Sequence, residues 1–347
     1  MARTEYASSI HRSVSKSLFN EQSSRSSTAA NMSFGSFLQR IQKGLSTVEL
    51  IHVSHPRWPI PPGSFTSPTL HISVLDSSFN PPTLAHLALA TTPPPPNASL
   101  SAGQQDFDAR LLLLSVRNAD KQLKPGDATH EQRAEMMVLL AAELARSSPR
   151  ARSLPNASSE PPAQTHDRNV AVAIIDEPTF VGKSAILLDF LRQRISDLQQ
   201  QQPSGVVLSS PPEEPPSPKL TFLMGTDTIV RFFAPRYYAD EHAMTVALRR
   251  FLSPDENDSR IICARRVSKG LSTAEEVEVE SQLPAFVSEI LPTNRISFVD
   301  IGEQERTYSS SEVREMLASH QETWNSMVPR SIAEYIVEHN LYSPSSS

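Results

Sequence analysis

The apolar run His71-Ile-Ser-Val-Leu75 breaks off at Asp76, crosses Ser77-Ser-Phe-Asn80, and meets Pro81 and Pro82 before Thr83-Leu-Ala-His-Leu-Ala-Leu89. A short apolar run bounded by turn residues reads as a buried strand. Proline is well placed where a helix starts, because its fixed φ suits the helix and its missing N–H would have no partner there. Residues 71–89 therefore predict strand, tight turn and helix, with Asn80 as the N-cap and Pro81 as the first helical residue. A turn that leads from a strand into a helix start aims backbone N–H groups and the positive end of the dipole outward, which suits phosphate. The two prolines remove donors, so Thr83 and His86, three apart on one face, would have to supply polar contacts. A plain strand-turn-helix connection carrying one ordinary histidine fits the stretch equally well.

From Thr69 onward the same alternation recurs. Apolar runs at 70–75, 110–116, 170–175, 220–224, 260–264 and 295–299 read as strands buried on both faces of a parallel sheet. Helical patterns occupy 83–90, 129–146, 185–200 and 242–251, followed after the last strand by 310–318 and 331–339. This is the pattern of an α/β fold with a doubly wound parallel sheet and a helical C-terminal part, ligands being expected at the carboxyl ends of the strands. Stretches rich in Pro, Ser or Glu near 93–105, 147–168, 199–218 and 268–281 read as mostly disordered insertions between core elements. Residues 1–68 read as a Ser/Pro-rich tail. Within it, Phe37, Leu38, Ile41 and Leu45 suggest a short helix, 55–68 a proline-rich linker, and the domain itself spans 69–343.

Composition excludes several classes. The net charge is −6, which offers no general nucleic-acid-binding surface. Cys263 is the only cysteine, so an intramolecular disulfide and a multi-thiolate zinc site are ruled out. No apolar run reaches the roughly 20 residues of a membrane span. A soluble protein of the cytoplasm and/or nucleus is expected, rather than a mitochondrial one, and homo-oligomer formation is left open.

Four further segments carry candidate chemistry. Phe180-Val-Gly-Lys-Ser184 stands where a P-loop would, but Glu177 occupies the position of its first glycine and Pro178 removes a donor, so a phosphate cradle is not expected. Ser309 and Glu312 form a capping box that starts a helix, placing Ser310 and Arg314 together beside its positive end. Arginine's planar fork suits a polyphosphate, although a capped helix with a solvated arginine accounts for the pattern as well. Lys121 and Lys124 follow the second strand. Gly225 and Asp227 stand at the tip of the fourth strand, where glycine permits close approach and the aspartate could bind a ribose hydroxyl or cap a short helix.

Taken together and in order, these segments resemble the nucleotidyltransferase superfamily of HxGH and ISSTxxR signatures, and within it the nicotinamide mononucleotide adenylyltransferases, in a divergent fungal-type branch. The family's first loop, G-S-F-N-P-x-T-x-x-H, corresponds to Ser77-Ser-Phe-Asn-Pro-Pro-Thr-Leu-Ala-His86, and ISSTxxR to Tyr308-Ser-Ser-Ser-Glu-Val-Arg314. Gly225-Thr-Asp227 matches its strand-tip G-x-D, Lys121 its post-strand lysine, and 328–342 its closing segment. Ser77 departs from the family's glycine, a residue that tolerates positive φ; Ala85 precedes the histidine, and Ser311 replaces threonine.

The resemblance implies a Rossmann-like nucleotidyltransferase that joins the AMP part of ATP to nicotinamide mononucleotide, with Mg²⁺ accompanying ATP and no metal ligands from the protein. It implies that His86, Arg314 and Lys121 are catalytic, and that Ser78, Phe79, Thr83, Gly225, Asp227, Ser309, Ser310 and Ser311 bind ATP. Phe180 and Glu177 would stand on the nicotinamide side. An ATP-hydrolysing relative, an adenylyltransferase with another phosphate acceptor, and a non-catalytic nucleotide-binding regulator are the competing readings.

Overall fold

Chain order and sheet order differ in a way that locates the site. The computed structural model describes residues 33–62, 65–95, 105–117, 126–146, 169–201, 214–266 and 295–343. The first elements are helix α1 (Phe34–Gln42), strand β1 (Val48–Val53), strand β2 (Thr69–Asp76), helix α2 (Leu84–Thr91), strand β3 (Ala109–Ser115), helix α3 (His130–Arg146) and strand β4 (Val170–Ile175). There follow helix α4 (Phe180–Gln200), strand β5 (Ser217–Gly225), helices α5 (Thr226–Phe232) and α6 (Glu241–Leu252), and strands β6 (Arg260–Ala264) and β7 (Ile296–Val299). Helices α7 (Ser310–Ala318) and α8 (Arg330–Glu338) complete the described chain.

The strands lie in the order β1-β4-β3-β2-β5-β6-β7. Only β1 is antiparallel to its neighbour. Without β1, the parallel strands follow the doubly wound order 3-2-1-4-5-6, whose direction of winding reverses between β2 and β5. In doubly wound sheets the ligand crevice forms at such a reversal, beyond the carboxyl ends of the strands. The segments that leave β2 and β5 there contain Ser77–His86 and Gly225–Asp227.

The physical reason for the sheet is plain in β4, where Val-Ala-Val-Ala-Ile-Ile is buried at every position. Such a strand needs cover on both faces. On one face Leu75, Phe79, Leu112 and Ile262 pack with α2, α3, α7 and α8. On the other, Ile72, Val74, Phe222 and Ile261 pack with α4, α5 and α6. Among the described residues no helix is long and apolar enough to cross a membrane.

The segment before residue 69 corrects the sequence expectation. Residues 34–62 are not a loose tail: β1 pairs with β4, and Trp58 is fully buried. Arg194 Nε donates to the Trp58 carbonyl at 2.6 Å, and Asn169 Nδ2 to the Pro59 carbonyl at 2.6 Å, tying this segment to α4 and β4. The strand is hard to read because an edge strand carrying Glu49 and His52 is not a continuous apolar run. Leu45 lies beyond the end of α1 and is exposed, so it is not part of the expected helical face.

α4 starts five residues earlier than expected, and β5 begins at Ser217, which narrows the 199–218 insertion. The expected insertions 147–168 and 268–281 lie outside the described residues, as do most of 93–105 and residues 1–32 of the tail.

Candidate active site

Helix α2 begins at Leu84, not at the prolines, and its N-cap is Thr83 rather than Asn80. The reason is that the Asn80 side chain is engaged elsewhere. Its Nδ2 donates to Asp127 at 2.8 Å, while its Oδ1 accepts from the Tyr342 hydroxyl at 2.8 Å and the Ala128 N–H at 3.3 Å. His86 falls at the third helical position and turns back, so that its Nδ1 accepts from the Thr83 N–H at 3.0 Å. It thereby takes the part that Glu or Gln plays in a capping box. The Thr83 hydroxyl, fully buried, lies 2.9 Å from the same nitrogen. Thr83 therefore acts through the imidazole, instead of presenting its hydroxyl to a ligand.

This geometry sets the tautomer. A nitrogen that accepts from a backbone N–H carries no proton, so the neutral ring is protonated at Nε2. Nε2 lies 3.0 Å from Ser77 Oγ and donates to it. Burial, and secondarily the positive charge of Arg266, lowers the His86 pKa from 6.5 to about 3. His86 is thus a neutral N–H donor fixed at a helix start.

The sign follows directly. The unfolded chain binds this proton below pH 6.5 and the folded one does not, so the contribution is complete above 6.5 and is lost as pH falls from 6.5 toward 3. We expect nitrogen-correlated NMR spectra to hold His86 in the Nε2–H form from pH 8 to pH 5. Between pH 7 and 5, His86→Gln should lose up to about 2 kcal/mol less stability than the wild type in denaturant unfolding. A His86 resonance titrating near its ordinary value would contradict this arrangement.

Ser77 does not need glycine's freedom. Among the residues of this turn the positive φ belongs to Phe79, at 46°, and not to Ser77. The Phe79 ring is fully buried, 5.3 Å from the His86 ring centroid. The loop can therefore accept a serine at 77, whose hydroxyl meets Nε2. Ser78 contributes its carbonyl to Arg133, at the limit of hydrogen bonding, 3.5 Å.

The second signature closes on the same loop. Ser309 caps α7 by accepting from the Glu312 N–H at 3.1 Å, as its sequence predicts. The Ser310 hydroxyl donates to the Pro81 carbonyl at 2.7 Å, and Arg314 Nη1 donates to the carbonyls of Asn80 and Ser310. Arg314 Nη2 reaches the exposed Ser311 Oγ at 3.4 Å, and its Nε is 3.7 Å from Asp127. Ser310 is thus committed to bracing the loop, and Arg314 does so while keeping 30% of its side-chain surface exposed.

Three bracing residues escaped the sequence reading: Asp127, Arg133 and Tyr342. Asp127 takes Asn80 and both arginines, and the Tyr342 hydroxyl reaches Asn80. The only available signal was the closing segment that contains Tyr342.

Other expected residues fare differently. Phe180 does not stand free as a stacking surface; it packs edge-on against Phe222 and Phe232, at 5.8 and 5.7 Å between centroids. Glu177 folds back on the start of α4, accepting from the Thr179 N–H at 2.9 Å and crowding Gly182. Both serve the fold: Glu177 braces Thr179, the N-cap of α4, and Phe180 gives its first turn an apolar side. The Gly-Lys-Ser within α4 is likewise no cradle: Lys183 is buried against Asp76 at 2.5 Å, and Ser184 bonds Ser259 at 2.8 Å. Gly225 ends β5 and caps α5, and Asp227 pairs with Arg231 at 3.3 Å. Lys121 and Lys124 lie outside the described residues.

No protein-family model matches the chain. A curated Schizosaccharomyces pombe protein, provisionally named nicotinamide mononucleotide adenylyltransferase, is 26% identical over 270 residues, spanning 76% of this chain and 83% of its own. Through this relative the chain resembles the nicotinamide mononucleotide adenylyltransferases. Two solved structures of Plasmodium falciparum nicotinic acid mononucleotide adenylyltransferase, complexed with NaAD and with APC, each align with 79% of this chain. Their identities are 15% and 13%, their TM-scores 0.41 and 0.40, and the alignments span 98% and 97% of their own chains.

Proposed function

We propose that this protein is a nucleotidyltransferase of NAD biosynthesis that transfers the adenylyl group of ATP to the 5′-phosphate of nicotinamide mononucleotide, giving NAD and pyrophosphate. The observation that carries the reading is His86, held by the Thr83 N–H as a neutral Nε2–H donor where the sheet reverses its winding. In this reading an oxygen of the acceptor phosphate attacks the α-phosphorus. The bond from that phosphorus to the bridging oxygen breaks, and pyrophosphate leaves with the electron pair. No covalent enzyme intermediate is needed, because the acceptor is already a nucleophile.

Catalysis then consists of positioning and of stabilising charge on the transferring and departing oxygens. His86 gives its Nε2–H to an α- or β-phosphate oxygen, which replaces the Ser77 hydroxyl as acceptor. The backbone of Ser78 and Phe79 borders the same position. The exposed part of Arg314 and the start of α7, with the Ser311 hydroxyl, face the outer phosphates, and the family resemblance assigns Lys121 the same role. Gly225 and Asp227 border the nucleoside.

Mg²⁺ is read as arriving with ATP and neutralising part of the phosphate charge. Among the described residues no group of three or more His, Cys, Asp or Glu side chains could hold a metal.

Because Phe180 and Glu177 are engaged within the fold, a second reading, the same chemistry with another phosphate acceptor, is favoured by that observation alone. The full chain incubated with ATP, Mg²⁺ and nicotinamide mononucleotide should yield NAD, detected by a coupled dehydrogenase. Dinucleotide formed only with a different mononucleotide would transfer the assignment to that acceptor. ADP without dinucleotide would overturn adenylyl transfer.

A further inference from the structure

We propose that Arg266, which neither signature contains, is a further nucleotide-binding residue that takes a polyphosphate oxygen on its Nε–H edge; this rests on the adenylyl-transfer reading. Arg266 lies two residues past the end of β6, beside the tip of β5. Its own N–H donates to Thr226 Oγ1 at 3.2 Å, and Thr226 Oγ1 donates to the Ala264 carbonyl at 3.1 Å, so the backbone here is fixed on both sides. Its Nη2 donates to the Tyr308 carbonyl at 2.6 Å, immediately before the Ser309 cap of α7. One arginine, through its backbone and its guanidinium, thus joins the β5 tip to the start of the ISSTxxR-like helix.

Gly225 is what lets it pass. A Cβ at that position would come within 2.8 Å of Arg266 Cδ and 3.0 Å of Asp227 Oδ1. Glycine at the strand tip therefore makes room for an arginine stem, in addition to any approach by a ligand. Nε is buried and has no hydrogen-bond partner. A buried N–H on a charged fork is rarely left without an acceptor, since its loss of hydration is uncompensated. The nearby Asp227 carboxylate makes no hydrogen bond to it, and one of its oxygens pairs with Arg231. The positive charge of Arg266 also disfavours protonation of His86. A planar fork already anchored through one nitrogen, with a second donor unmet, is a preorganised partner for a phosphate oxygen.

The competing explanation is a purely structural arginine that holds the Tyr308 carbonyl. Affinities of the full-length protein for MgATP and for adenosine separate the two. For Arg266→Ala we expect MgATP to bind about ten- to a hundredfold more weakly, with adenosine affinity unchanged. Arg266→Lys, which keeps the charge without the fork, should fall between, and it decides the matter if the alanine variant does not unfold cooperatively. Unchanged MgATP affinity, or equal losses for MgATP and adenosine, would overturn the proposal. NAD synthesis by the wild type is measured in parallel. Its absence would remove the adenylyl-transfer reading, while the ATP-to-adenosine contrast would still decide whether Arg266 meets phosphate.

Discussion

Replacing His86 by alanine is expected to slow adenylyl transfer by about 10²–10³-fold, the usual cost of removing one preorganised donor from developing charge. The fold should survive. Alanine leaves the Thr83 N–H without its Nδ1 partner, which amounts to losing a helix cap and costs about 1 kcal/mol. His86→Gln separates the two roles, because a glutamine at this helical position can complete a capping box. The glutamine variant should recover most of the lost stability in denaturant unfolding and still fall well short of the wild-type rate. Stability and rate recovering together would mean that His86 matters only for the cap. A near-normal rate in the alanine variant would remove the histidine from the chemistry altogether.

Lys183→Ala should give the largest loss of stability, about 3–5 kcal/mol, because it strands the Asp76 carboxylate in the interior. The two side chains are 5% and 7% exposed and 2.5 Å apart. Against a total stability of about 5–15 kcal/mol, such a loss would show as a large fall in the denaturation midpoint. The double change Lys183→Met with Asp76→Asn removes both charges and should restore most of the stability. It should also leave ATP affinity near that of the wild type, since Lys183 faces the sheet rather than a phosphate. A specific loss of ATP binding in a stable double variant would revive the P-loop reading of this segment.

The parallel sheet was legible because burial on both faces leaves continuous apolar runs, and β4 and β6 fall where those runs predict them. β1 was not legible, because an antiparallel edge strand mixes Glu49 and His52 with apolar residues. Strand order is a property of long-range pairing and could not be read from any local segment. At the site, the Ser309 cap of α7 was readable, since capping is a local rule.

The start of α2 was misplaced for a non-local reason. Asn80 looks like a cap, but its side chain is drawn to Asp127 and Tyr342, residues distant in sequence. The same holds for Ser310, whose hydroxyl goes to the Pro81 carbonyl. Phe180 and Glu177 were assigned to a substrate by family resemblance, and the packing around Phe222 and Gly182 explains them without one. Arg266 offered no local signal, because its importance comes from what Gly225 and Tyr308 place around it.

The most direct test of adenylyl transfer follows the phosphorus atoms. In a ³¹P NMR time course with ATP, Mg²⁺ and nicotinamide mononucleotide, the wild-type protein should form pyrophosphate and dinucleotide diphosphate in equal amounts, with no ADP. His86→Ala should show the same products at a much lower rate. ADP and orthophosphate accumulating in place of pyrophosphate, with the acceptor phosphate unchanged, would contradict the account.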